Sequence, residues 1–378
     1  MPDPVYLDCA ATTPLRPEAR EAMLHVLAQR WGNPSSVHRW GREARATLED
    51  ARARFAAVIG ASPAEIVFTR GGTEADNLAV LGRARADAGP VACSAIEHKA
   101  VLSAAKAAAG DDGRLRIIPV DAHGVVDVDA LAEIVREAAP SLVAVMWASN
   151  EVGAIQPVER IAEICAAAGV TVHSDAVQAL GKVPVRVDRV PVDTLAFSAH
   201  KLGGPRGAGV LFARRGTRLH PLLHGGGQER GLRPGTEDVA SAMAFAVAAE
   251  LAEAEREETM ARIGALRDRL EAGLCERVPG LRINAAAAPR LPTISNLSVP
   301  GADPEMLLMA LDLEGIAASS GSACSSGAVE PSHVLLAMGL PAEIAGPSVR
   351  FSLGRDTTAE EIERVVEVFP RVVERLRA

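Results

Sequence analysis

Residues 158–177 read "VERIAEICAAAGVTVHSDAV" and carry two periodicities in succession. The first twelve place apolar residues at three- and four-residue spacing, the pattern of an amphipathic helix, and stop at Gly169, a common helix terminator. The next eight, 170–177, read as a strand that ends on Asp175. A helix feeding a strand is half of a β-α-β unit, and the alternation extends in both directions. Further strands are expected at 65–70, 91–95, 114–120, 142–149, 194–201 and 208–214, with amphipathic helices between several of them. Most are continuous apolar runs, as in strands covered on both faces. The pattern specifies an α/β fold with a mostly parallel sheet wrapped by helices.

The texture changes near residue 240. One long helical stretch is expected over about 240–275, its charged second half leading out of the large domain. Beyond it, 293–299, 315–321 and 348–354 read as strands around shorter helices, which indicates a smaller α+β domain. The alanine-rich "NAAAAPR" (284–290) reads as a loop.

At 378 residues and 48% hydrophobic, the chain can build a large core without covalent staples. Lys+Arg total 40 against 48 Asp+Glu, a net −8, and aromatics are 3%, so there is neither a general basic footprint nor many rings for nucleic acid. The five cysteines (9, 93, 165, 275 and 324) are scattered and never in CxxC spacing, which fits a reducing compartment rather than a disulfide framework. Neither a signal peptide nor an apolar run of membrane-spanning length is evident, so a cytoplasmic location without membrane attachment is expected.

Several motifs bear on chemistry, each with a plainer alternative. "TRGGTEADN" (69–77) sets two glycines and a threonine between strand and helix: either a helix cap or an anion site at the positive helix end. "HSDAVQ" (173–178) puts Asp175 at a strand end, where open α/β sheets place ligands. It reads as a helix cap or as a functional carboxylate, and with His173 as a metal pair that lacks a third ligand. "FSAHKLGGPRG" (197–207) delivers Lys201 from an apolar strand into a sheltered turn, suited to Schiff-base chemistry unless the side chain merely snorkels. "SSGSACSSG" (319–327) sets Cys324 among small residues, unlike a packed core cysteine.

Together, a phosphate-type turn, a strand-end aspartate and a strand-borne lysine are the parts a pyridoxal 5'-phosphate site needs. Here the chain resembles the fold-type I pyridoxal-phosphate enzymes of the class V aminotransferase group. "YLDCAATTP", "GNPSSVH", "GGTEADN", "EHKAV", "SNEVGAIQP", "HSDAVQALGK", "FSAHKLGGPRG", "HGGGQERGLRPGTED", "SSGSACSSGAVEPSHVL" and "VRFSLGR" occur in order between residues 6 and 355. That series is similar to the group I cysteine desulfurases, whose active cysteine lies in an SSGSAC loop. The RxGHHC setting of group II is absent.

The resemblance implies that Lys201 forms the Schiff base with pyridoxal phosphate, Asp175 pairs with its pyridine nitrogen and Gln178 bonds its phenolic oxygen. His98 would stack on the ring and move protons. Gly72, Thr73, Ser198 and His200 would hold the phosphate, Asn150 would lie beside cofactor and substrate, and Arg350 would clamp the substrate carboxylate. Thr236 would reach the phosphate of a neighbouring subunit, which implies a homodimer. Cys324 would take sulfur from L-cysteine as a persulfide, leave L-alanine, and pass the sulfur to acceptor proteins, an iron–sulfur scaffold or thiolation enzymes. A mobile Cys324 loop would suit that role. A large cofactor-binding domain over 11–257 and a small domain from 1–10 and 258–378, carrying the Cys324 loop, are expected, with no metal site.

A selenocysteine lyase or another class V aminotransferase would share most of these residues. The chain stops at "VVERLRA", where many group I relatives continue into an extension that docks the scaffold protein, so that recipient is the less secured. Trp147 and Ser149 stand where many relatives have histidine and asparagine, which implies altered packing near the ring.

Overall fold

In the computed structural model the described residues are 4–111, 113–320 and 331–377. Among them the strands are β1 (Val5–Tyr6), β2 (Ile66–Thr69), β3 (Val91–Ser94), β4 (Leu115–Ile118), β5 (Leu142–Ala144), β6 (Thr171–Asp175), β7 (Thr194–Ser198), β8 (Gly209–Ala213), β9 (Arg282–Ile283), β10 (Ile294–Ser298), β11 (Ile316–Ala317) and β12 (Ser348–Ser352). The helices are α1 (Pro17–Gln29), α2 (Arg39–Ile59), α3 (Gly72–Ala86), α4 (Lys99–Ala109), α5 (Val128–Ala138), α6 (Val158–Ala167), α7 (Val239–Ala254), α8 (Arg256–Arg277), α9 (Pro304–Leu313), α10 (His333–Ala337), α11 (Ala342–Ala345) and α12 (Ala359–Arg377).

The central sheet has the order β2-β8-β7-β6-β5-β3-β4. β7, β6, β5, β3 and β4 run parallel, and β8 lies antiparallel to both of its neighbours. The fold class is therefore the one the sequence specifies. Its largest core collects Val143, Val172, Leu195, Phe197, Val210 and Phe212 from the strands against Leu48 and Phe55 of α2 and Phe245 of α7. Phe55 meets Phe197 and Phe245 edge-on, with ring centroids 5.5 and 4.9 Å apart.

A second core joins Val5 and Leu7 to Ile263, Leu270, Leu307, Phe351, Ile362 and Phe369. It lies around the antiparallel sheet β12-β10-β9 and the parallel pair β1-β11. The N-terminal strand thus packs with the last third of the chain.

Three expectations need correction. The helical stretch of 240–275 is two helices, α7 and α8, separated at Glu255. α7 buries its small residues in the first core and α8 buries Ile263, Leu270 and Leu274 in the second, so one straight rod could not serve both. Arg16 fixes the break by a 2.9 Å ion pair to Glu255. The strand expected over 142–149 stops at Ala144, because the Met146 amide donates to the Glu97 carboxylate (2.7 Å) rather than to a strand neighbour. The strand expected over 194–201 ends at Ser198, and Lys201 sits in the single 3-10 turn that follows.

Candidate active site

The register of the sheet gathers the sequence-predicted residues at one end. Thr69 and Ser198 both pair with Gly209, and Asp175 pairs with Ala196, so β2, β7 and β6 end side by side. β2 turns at Gly71 (φ 120°), a backbone conformation that favours glycine, and enters α3 at Gly72. A Cβ on Gly209 would stand 2.5 Å from the Gly71 backbone, so the two turns touch through bare main chain. β3 leads to His98, the N-cap of α4, whose Nδ1 accepts from the Ala100 amide (3.2 Å) and leaves Nε2 for the pocket.

Gly72, Thr73, His98, Asn150, Asp175, Gln178, Ser198, His200 and Lys201 line one pocket, with Asp76, Met146, Ala148 and Val177 completing its wall. The amides at the start of α3 precede its first intrahelical bond, which together with the Ser198 hydroxyl and His200 makes an anion cradle at one end. At another, the Asp175 Oδ1 accepts from the Val177 amide (2.9 Å). Lys201 Nζ donates to the carbonyls of Ala10 and Ala11, both at 2.8 Å, and among the described residues has no carboxylate on it.

Electrostatics follow from that enclosure. Burial, reinforced by the Arg350 cation, lowers the Lys201 amine to about 8, within reach of a neutral nucleophile at ordinary pH. Burial raises the Asp175 carboxyl against the opposing pull of His98 and the Val177 amide. His98 is lowered, chiefly by desolvation, although its ring keeps considerable surface open to the pocket. His200 falls to about 4 through burial and its cationic neighbours, so it is a neutral imidazole, its Nδ1 3.1 Å from the Thr12 hydroxyl.

Not every sequence-predicted residue meets this pocket within one chain. Arg350 is buried on β12 and holds the Asn150 carbonyl (2.9 Å) and the Asp8 carboxylate (2.7 Å), beside the pocket rather than lining it. Thr236 is exposed and does not line it. Cys324 and the loop expected to be mobile lie outside the described residues. His173 and Asp175 do not converge as a metal pair: the fully buried His173 ring is taken by Thr194 (3.0 Å) and Asp76 (3.2 Å). Asp76, His98 and Asp175 are the three whose ligand atoms lie within 4.8 Å of one another.

Asp76 was missed by sequence reasoning, although it lies one helical turn beyond the glycine pair. Glu97, fully buried behind His98, was missed as well. Trp147 and Ser149 are both buried, and the Ser149 hydroxyl accepts from the amides of Glu151 and Val152. Among the described residues, no helix is long and apolar enough to cross a membrane.

Comparison with known proteins gives a consistent result. The family model "Aminotransferase class-V" matches residues 5–365. "Cysteine desulfurase IscS" of Dictyoglomus turgidum is 43% identical over 99% of this chain and 95% of its own length. "Cysteine desulfurase NifS" of Azotobacter vinelandii is 43% identical over 99% of this chain and 93% of its own. A solved "NifS-like protein" superposes with a TM-score of 0.91 at 36% identity, covering 99% of this chain and 100% of that one.

Proposed function

The chain belongs to the class V aminotransferase family and is a pyridoxal-phosphate-dependent cysteine desulfurase, and from that premise we propose how its own residues divide the work. The observation that carries the assignment is the convergence of Lys201, Asp175, His98, Ser198 and the Gly72–Thr73 turn on one pocket.

The donor set fits pyridoxal phosphate: an amine with no acid partner among the described residues, a buried carboxylate, and a helix start with a hydroxyl for a phosphate. When bound, that cofactor withdraws electrons from the α-carbon of an attached amino acid. Lys201 would hold it through Nζ. Asp175 would keep a proton on its pyridine nitrogen, Gln178 would donate to its phenolic oxygen, and Gly72, Thr73, Ser198 and His200 would hold its phosphate. His98, with Nε2 toward the pocket, would lie beside it and move protons at the substrate. Asn150 lines the substrate side, and Arg350 takes the carboxylate of L-cysteine with its planar fork.

Cys324 then attacks the substrate sulfur as a thiolate. The new S–S bond forms as the carbon–sulfur bond breaks, and a proton replaces sulfur on carbon, which releases L-alanine. The persulfide passes its outer sulfur to an acceptor protein, an iron–sulfur scaffold or a thiolation enzyme. Thr236, exposed and not lining the pocket of its own chain, would reach the neighbouring subunit's phosphate in a homodimer. The large domain spans 11–257 and the small one 1–10 with 258–378, a division supported by the two separate cores.

The test is absorbance together with alanine and sulfide release from L-cysteine, for the wild type and Cys324→Ala. Cofactor absorbance retained with desulfuration lost supports the assignment, and unchanged desulfuration in the variant refutes the persulfide step. Release from selenocysteine surviving in Cys324→Ala while release from cysteine is lost would identify a selenocysteine lyase.

A further inference from the structure

Gln178 is an amide that must point one way to be of use. Its side chain has one carbonyl and one NH2 group, and only the NH2 can donate to a phenolic oxygen. Two neighbours fix its orientation. Lys182 Nζ donates to the Gln178 Oε1 at 3.2 Å and to the Gln178 backbone carbonyl at 3.0 Å. On the other side the Gln178 Nε2 donates to the Ala10 carbonyl at 2.9 Å. An ammonium is donor-only and a carbonyl acceptor-only, so a flipped amide would face N–H against N–H and oxygen against oxygen. The orientation found leaves the second N–H of Nε2 as the donor available to the pocket.

Lys182 itself lies outside that pocket. It borders a separate cavity between the two cores, where Cys9, Thr259, Met260 and Leu353 are its companions. Gln178 and Lys201 are the residues common to both cavities, so Lys182 reaches the active site only through them. Its place is set by Gly181 (φ 70°), where a Cβ would stand 2.7 Å from the Ala252 Cβ of α7. The Ala10 carbonyl accepts from Lys201 as well as from Gln178, which closes a chain Lys182–Gln178–Ala10–Lys201.

We propose that Lys182 is a positioning residue of the desulfurase: it locks the Gln178 amide with its NH2 toward the cofactor's phenolic oxygen, without touching the cofactor. The inference rests on the cofactor assignment given above. Burial and Lys201 lower the Lys182 amine to about 7, with Cys9 opposing. While charged, the amine can only donate to Oε1; once neutral it also carries a lone pair, and the Ala10 carbonyl is then the contact that still forbids the flip.

The experiment is a pH titration of the bound chromophore's absorbance in holoenzyme reconstituted with pyridoxal phosphate. The proteins are the wild type, Lys182→Met, Lys182→Arg, Gln178→Leu and the Lys182→Met/Gln178→Leu double variant. Donation to the phenolic oxygen stabilises its negative charge, so losing it favours the protonated chromophore. Lys182→Met and Gln178→Leu are each expected to raise its pKa by roughly one unit, tenfold in the proton equilibrium. The double variant should shift no further than Gln178→Leu alone, and Lys182→Arg, still a donor, should restore the wild-type curve. Additive shifts would show a plain charge effect and overturn the proposal, as would a wild-type curve from Lys182→Met. Circular dichroism checks folding, and Lys182→Leu, which likewise lacks a donor, carries the same comparison if the methionine variant does not fold. A wild type that develops no chromophore overturns the cofactor assignment itself, a distinct failure.

Discussion

The Arg350 Nη2 lies 2.7 Å from the Asp8 Oδ1, while the buried Nε of the same guanidinium has no hydrogen-bond partner among the described residues. Asp8 follows β1, and Arg350 stands in β12, so the pair ties the N-terminal strand to the β12-β10-β9 sheet. In the proposed role of Arg350, a substrate carboxylate would compete with Asp8 for the fork or take its unpartnered Nε. Arg350→Lys, which loses the bidentate fork, is expected to raise the KM for L-cysteine about tenfold, near 1.4 kcal/mol, with cofactor absorbance unchanged. Asp8→Asn weakens the competitor and should lower KM a few-fold, on the order of 0.5–1 kcal/mol. Steady-state alanine production measures both, and a KM unmoved by Arg350→Lys would remove Arg350 from substrate binding.

Lys201 gives a pH dependence of definite sign. Its amine is lowered to about 8 from an ordinary 10.5, by burial first and by Arg350 next. At pH 7.5 about a quarter of such amines are neutral, against about one in a thousand at the ordinary value. Cofactor attachment to the apoenzyme should therefore accelerate about tenfold per pH unit below about 8 and level off above it. Stopped-flow absorbance of the apoenzyme mixed with pyridoxal phosphate reads this directly. A rate still climbing toward pH 10 would show an unperturbed lysine.

Much of this site was legible because the residues proposed to do chemistry sit at strand ends. Asp175, Ser198 and Lys201 each follow an apolar run whose boundaries the sequence announces, and the glycine pair before α3 marks its own turn. What was not legible depends on contacts between distant segments. Asp76 became visible only when α3 laid it against His173 of β6, and Glu97 only when its carboxylate intercepted the Met146 amide. The break at Glu255 was hidden for the same reason. "AELAEAEREE" has unbroken helical propensity, and the halt comes from two cores that lie in different directions, with Arg16 at the corner.

The meeting of Gly71 and Gly209 allows a packing test. An added Cβ at position 209 would come within 2.5 Å of Gly71, where main chain rather than a flexible side chain must yield. Gly209→Ala should destabilise the protein by about 1–3 kcal/mol, the usual range for overpacking. It should also push the α3 turn away from Ser198 and loosen the phosphate cradle. Denaturant melts and a cofactor titration are both needed. Lower stability together with weaker cofactor binding is the expected pair, and undiminished cofactor affinity would show that the cradle does not depend on this contact.

Glu97 offers the clearest stability signature. It is fully buried, its Oε1 taken by the Ser94 hydroxyl and the Met146 amide, and its Oε2 without a partner among the described residues. Burial raises its carboxyl from 4.5 to about 8, while the Ser94 and Met146 hydrogen bonds pull the other way. Between those values the folded protein keeps a proton that the unfolded chain has released. Its contribution to stability is therefore full below about 4.5 and is lost as pH rises through about 8. Glu97→Gln keeps an oxygen for both donors and never titrates. Relative to wild type, it should gain at least ~1.4 kcal/mol of stability on going from acid to alkaline pH, the equivalent of one pKa unit. Denaturant unfolding of holoenzyme and variant at about pH 5 and about pH 9 tests the sign. A difference that shrinks toward alkaline pH would mean that Glu97 is ionised in the fold, and its charge would then need a partner that the described residues do not supply.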